Sequence, residues 1–234
     1  MNSSLTIHAL KLSDADFSLI VCANPEWNFE QTAEGELIVV PPTHGTSGSK
    51  NSKLTAQLEN WSSSVELGEA FDSNTLFVLP NGAKRMPDAS WIRRERWEAL
   101  TQQQRDGYVP LCPDFVVELR KVRCGGLPPS PKGTPIPPRC STFSRERSPT
   151  DSLEVLRTKM LEYMNNGARL SWLINPQDRQ VEIYRQLKCG RFPPATLPCP
   201  GQQAEVLQDP ANLSGEDVLP GFVLDLGRIF AIGI

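Results

Sequence analysis

Pro113-Asp-Phe-Val-Val-Glu-Leu-Arg120 is the stretch that decides the fold. Its valines, phenylalanine and leucine favour an extended chain, so a strand is expected over Asp114 to Arg120. Alternation with a period of two puts Phe115, Val117 and Leu119 on one face and Asp114, Val116, Glu118 and Arg120 on the other. Glu118 is therefore a carboxylate in the middle of an apolar strand that reads as central. Glutamate is almost never fully buried unless it is paired or bound. Two explanations stay open at this point: an ion pair with Arg120 or another cation (or a wet edge strand), or a functional site.

Working outward, Met86-Pro-Asp88 opens a second strand-like run, Asp88 to Arg93. A Pro-Asp pair alone says little, since Pro113-Asp114 is another. Two carboxylates on adjacent strands are a different matter. They offer hard oxygen ligands, few in number, with coordination left for water and phosphate, as Mg²⁺ requires. Downstream, Leu153 to Asn165 has helical periodicity and Gly167 to stop it, followed by strands at Leu170 to Ile174 and Gln180 to Tyr184. Upstream, Leu54, Leu58, Trp61 and Val65 lie on one helical face, with Gly68 read as the terminator. Before that helix, Trp27 to Glu30 and Glu36 to Val40 form a hairpin, and Ser13 caps a first short helix. Thr75 to Leu79 reads as a further strand, and Glu95 to Gln102 as a charged surface helix. The order predicts an α/β fold with a mixed central sheet flanked by helices and an N-terminal hairpin.

The chain has 234 residues, enough for one such domain, but its 21 prolines are nearly twice the usual share. They concentrate in two stretches without apolar periodicity, 121–147 and 187–201. Both are read as disordered insertions into a single domain spanning 1–234. The segment from Arg120 to Arg147 holds seven basic residues against one acidic, Glu146, and could also contact phosphates. A net charge of −3 argues against whole-surface attraction to nucleic acid or acidic membranes.

Only two histidines, His8 and His44, are present, which excludes a His-rich metal site. Cys124, Cys140, Cys189 and Cys199 lie in the insertions but lack the short pair spacing of structural zinc. Cys22 and Cys112 are expected to be inert packing residues, and Trp61, Trp91 and Trp172 are expected in the core. There is no secretory signal and no run approaching about 18 apolar residues, so a cytoplasmic protein with no membrane partner is expected.

Asp88 with Glu118-x-Arg120 resembles the Pro-Asp…(Asp/Glu)-x-Lys motif of restriction-endonuclease-like nucleases. Gly35-Glu-Leu-Ile-Val-Val-Pro-Pro42, Pro87-Asp88, Pro113 to Glu118, Lys159-Met-x-x-Tyr163, Gly167, Trp172-Leu-Ile and Leu219-Pro-Gly-Phe222 follow in order. Together they resemble one branch, a restriction endonuclease family abundant in cyanobacteria. The resemblance implies a metal-dependent endonuclease acting on DNA, with Asp88 and Glu118 binding Mg²⁺ or Mn²⁺. It also implies that a homodimer would serve double-strand cleavage. Arg120 stands where the superfamily carries lysine and, staying protonated, cannot take a proton from water. It could still hold a phosphate or the attacking water. The branch draws its lysine from the following helix, which points to Lys159. That residue falls about 40° outside the arc of Leu153, Leu156, Met160 and Tyr163. Glu36, within the matched Gly-Glu-Leu, is a candidate third carboxylate. The alternative is a catalytically impaired nuclease-fold protein that binds nucleic acid or a protein partner.

Overall fold

The order of elements follows the punctuation of the sequence, seen here in a computed structural model that describes residues 5–121, 152–186 and 204–231. In chain order they are β1 (Leu5–Lys11), α1 (Asp14–Ala23), β2 (Asn28–Gln31), β3 (Glu36–Val40), α2 (Gly45–Val65), β4 (Gly68–Phe71), β5 (Phe77–Val78), β6 (Lys84–Arg85), β7 (Ala89–Arg93), α3 (Arg94–Glu98), α4 (Gln102–Asp106) and β8 (Phe115–Leu119). Then follow α5 (Leu153–Asn165), β9 (Leu170–Asn175), β10 (Gln180–Arg185), β11 (Glu205–Gln208), β12 (Asn212–Ser214), β13 (Val223–Asp225) and α6 (Gly227–Phe230). Apart from Lys121, the insertions read at 121–147 and 187–201, with their four cysteines, lie outside the described residues.

The larger sheet has the order β11-β10-β9-β8-β7-β4. It is antiparallel except for β8 and β9, which run parallel with Glu118 opposite Leu173. A parallel pair needs a crossover, and α5 lies within it. β8 is covered on both sides. Phe115, Val117 and Leu119 join Trp91, Trp172, Leu54 and Leu58 in one core that also takes in Leu219 and Phe222. Trp172 stacks on Phe222 at 6.1 Å, which binds the C-terminal segment to that face. On the other side Val116, Ile92 and Leu173 meet Met160, Tyr163 and Met164 of α5. A mixed sheet flanked by helices is thus what the chain adopts.

A second sheet, β1-β3-β2-β6-β5, carries the N-terminal hairpin. Phe17 of α1 packs with Phe29, Leu37 and Leu76 on it. The helix starts at a reciprocal cap between Ser13 and Asp16, as the Ser-Asp-Ala-Asp sequence suggests.

Several expectations are corrected. The helix read from Leu54 begins at Gly45, because the small residues before it join the helix rather than a loop. It ends on Glu66 in the left-handed conformation (φ 53°), not on Gly68. Gly68 belongs to β4, where a Cβ would lie 2.1 Å from the Ile92 carbonyl oxygen and 2.5 Å from the Trp91 ring. Glycine is there for close approach, not for helix termination. The charged helix is two five-residue helices, α3 and α4. The strand read at Thr75 to Leu79 shrinks to β5, in the smaller sheet. Cys22 is exposed and so is not a packing residue, whereas Cys112 is buried, its thiol pushed up to about 12 by burial.

Candidate active site

The register of β7 and β8 pairs Ala89 with Val117, so one step further along the antiparallel ladder Asp88 stands opposite Glu118. Asp88 is buried and held at both oxygens. The Leu119 backbone N–H donates to its Oδ2 at 2.8 Å, and Asn51 Nδ2 of α2 donates to its Oδ1 at 2.9 Å. Glu118, only 5% exposed, is held from α5. Lys159 Nζ lies 2.8 Å from its Oε1, and the Tyr163 hydroxyl donates to the same oxygen at 3.0 Å. Among the described residues, Glu118 Oε2 takes no hydrogen bond.

The network does not stop there. Lys159 Nζ also donates to Glu30 Oε1 of β2 at 2.8 Å. Glu30 accepts the Met86 backbone N–H at 2.9 Å and Arg85 Nη1 at 3.3 Å. Arg85 Nε in turn donates to Glu162 Oε2 at 2.5 Å. The result is a ladder of alternating charge, Glu118–Lys159–Glu30–Arg85–Glu162, with Asp88 beside its first rung. Four carboxylates face two cations.

That imbalance shapes the titration of each group. Burial raises the Glu118 carboxyl, Lys159 opposes it, and Asp88 and Glu30 push it up again, leaving it at about 7. Burial also raises Glu30, but Lys159 and Arg85 outweigh it and hold that carboxyl below its ordinary value. Burial pulls the Lys159 pKa down, yet Glu118 and Glu30 keep it above the usual lysine value. Lys159 is therefore an ammonium at neutral pH. It can donate hydrogen bonds and offset negative charge, but it cannot act as a base there.

The sequence candidates thus separate. Asp88, Glu118 and Lys159 come together. Arg120 does not pair with Glu118: its Nη1 is 3.2 Å from Asp178 Oδ2, on the turn after β9. Glu36 opens β3 opposite Lys11, its backbone N–H donating to Thr32 Oγ1 at 3.2 Å. The carboxylate that joins Glu118 at Lys159 is Glu30, from the other strand of the hairpin. Sequence reasoning missed Glu30, Arg85, Asn51 and the role of Tyr163. Asn51 left a trace, since it continues the stripe of Leu54 and Leu58 one turn back as a polar residue. Glu30 and Arg85 left none.

Asp88 and Glu118 offer hard oxygen donors with surplus negative charge around them, which suits an oxygen-seeking divalent cation. Among the described residues no three His, Cys, Asp or Glu side chains gather into a ready-made cage, so such an ion would complete its shell with water or substrate oxygens. Among the described residues no helix is long and apolar enough to cross a membrane.

The sequence profile described as "Uma2: Putative restriction endonuclease" matches residues 14–121 and 147–227. The crystal structure of "a putative nuclease belonging to DUF820" from Anabaena variabilis ATCC 29413 is similar in fold, with a TM-score of 0.58 at 18% identity. The alignment covers 88% of this chain and 90% of that one. No curated protein matches the sequence.

Proposed function

Because the chain belongs to the Uma2 family, we propose that it is a metal-dependent endonuclease hydrolysing DNA phosphodiester bonds, with Asp88 and Glu118 as ligands of Mg²⁺ or Mn²⁺. The main support is the buried pair itself, Asp88 at the start of β7 facing Glu118 of β8, within a cluster that has too few cations to balance it. When bound, the ion supplies Lewis acidity to a phosphoryl oxygen and a more acidic water.

The protein's own groups do the rest. Asn51 and the Leu119 N–H fix the Asp88 carboxylate, and Tyr163 fixes that of Glu118. Lys159, kept charged by Glu118 and Glu30, orients the attacking water and offsets the charge on the non-bridging phosphoryl oxygens in the transition state. Glu30 positions Lys159 and does not touch the substrate. Cutting both strands takes two copies of the site, so a homodimer belongs to the same proposal.

A second reading, a nuclease-fold protein that binds without cutting, draws on Arg120 at the superfamily's lysine position and its engagement by Asp178. A plasmid-nicking assay with Mn²⁺ or Mg²⁺ separates the two. Asp88→Ala and Glu118→Ala are expected to lose on the order of 100-fold or more in rate, and EDTA to abolish it. Undiminished cleavage by either variant would refute the assignment. Calorimetric Mg²⁺ binding without any cleavage by the wild type would favour the second reading.

A further inference from the structure

The N-terminal half of α2 buries three polar side chains, Ser47, Lys50 and Asn51, where the apolar stripe of Leu54 and Leu58 would otherwise continue. Asn51 is accounted for by Asp88. Lys50 is not. It is 7% exposed, yet among the described residues it makes no hydrogen bond and no ion pair. Burial lowers its pKa, and the charge that acts on it is another cation, Lys53. Its aliphatic stem is packed away while the ammonium keeps access to solvent, so an anion arriving from solution can reach it.

The surroundings favour an anion. α2 is 21 residues long, and its N-cap, His44, makes no side-chain bond to the first-turn N–H groups. Those groups and the helix dipole attract negative charge. The approach is open as well. A Cβ on Gly45 would meet nothing within 4 Å, and one on Gly48 only the Thr43 methyl at 4.0 Å. One residue further on, Asn51 ties this turn to Asp88.

We propose that Lys50 and the first turns of α2 bind a phosphate group of the nucleic-acid backbone next to the scissile bond. The identification of the phosphate with DNA rests on the nuclease reading; the anion site does not. Bound there, the phosphate would be the counter-ion that no described residue supplies to Lys50, and it would register the substrate against Asp88 through the Asn51 turn.

Two measurements test this. The first is the anisotropy of a short labelled DNA duplex over a salt series, in EDTA so that nothing is cut. Lys50→Met should bind roughly tenfold more weakly and lower the slope of log Kd against log salt by about 0.9, while Lys50→Arg retains both values. Methionine keeps the buried stem and removes only the unpaired charge at its tip, so the variant is expected to fold. Equal affinity and slope for Lys50→Met would overturn the proposal.

The second measurement uses inorganic phosphate alone, followed through the backbone amide signals of residues 45–51. Saturable shifts in the wild type that vanish in Lys50→Met support the anion site, even if no duplex binds and the nuclease reading falls. Identical shifts in both proteins, or none in the wild type, would refute it.

Discussion

At the residue scale the site is defined by what each carboxylate can afford to ionise against. Glu118 stands at about 7 where an ordinary glutamate has 4.5. The native state therefore holds this proton more tightly than the unfolded chain does. Stability from this group is fully present below about 4.5 and is lost as pH rises towards 7. Glu118→Gln resembles the protonated form and escapes that loss. Its stability relative to wild type is expected to grow by about 3 kcal/mol between pH 4.5 and pH 8, as measured by chemical denaturation. A flat difference across that range would contradict the burial argument. Under the proposed function the same shift makes Mg²⁺ compete with a proton, so calorimetric affinity should rise roughly tenfold per unit as pH climbs to 7. Asn51→Ala removes a charge-assisted hydrogen bond from buried Asp88, with an expected cost of about 2 kcal/mol. Under the proposed function it should also weaken Mg²⁺ binding by about 10- to 100-fold.

At the element scale, much of the site comes from one helix. Lys159, Glu162 and Tyr163 share the inward side of α5, and the periodicity of Leu153 to Asn165 makes that helix legible to the residue. The strand β8 is equally legible, because its alternation is interrupted only at Glu118. β4 was not. It is four residues long, and its key residue is a glycine whose role depends on Trp91 and Ile92, more than twenty positions away. Gly68→Ala would drive a methyl group into the Ile92 backbone, where nothing can rotate aside. A loss of about 3 kcal/mol or more is expected, read as a drop in Tm. A neutral substitution would show that β4 can move off β7.

At the scale of the whole molecule, the charge ladder ties the two sheets together. Glu30 and Arg85 belong to the smaller sheet, Glu118 to the larger, and α5 lies between them with Lys159 and Glu162. Arg85→Ala would leave buried Glu30 and partly buried Glu162 with one cation fewer. The expected cost is about 3–5 kcal/mol. Hydrogen exchange should show the loosening in β2 and β6 more than in β9 and β10. Uniform protection loss would mean that the ladder is not what joins the sheets.

The family-like motifs and local periods of the sequence were enough to specify the mixed sheet, the hairpin, α5 and the pair Asp88 and Glu118. Hydrophobic alternation is a property of neighbours along the chain, so it can be read without the fold. The partners of that pair could not. Lys159 meets Glu30 across 129 positions, Tyr163 meets Glu118 across 45, and Asn51 meets Asp88 across 37. No local pattern records contacts of that range. Whether Glu118 would pair with Arg120 or with a helix lysine was likewise decided only in three dimensions, where Asp178 takes up the arginine and α5 delivers the lysine to the buried face. Sequence determined which carboxylates enter the sheet; packing decided which cations reach them, because an ion pair forms where desolvated charges are brought together, whatever their separation along the chain.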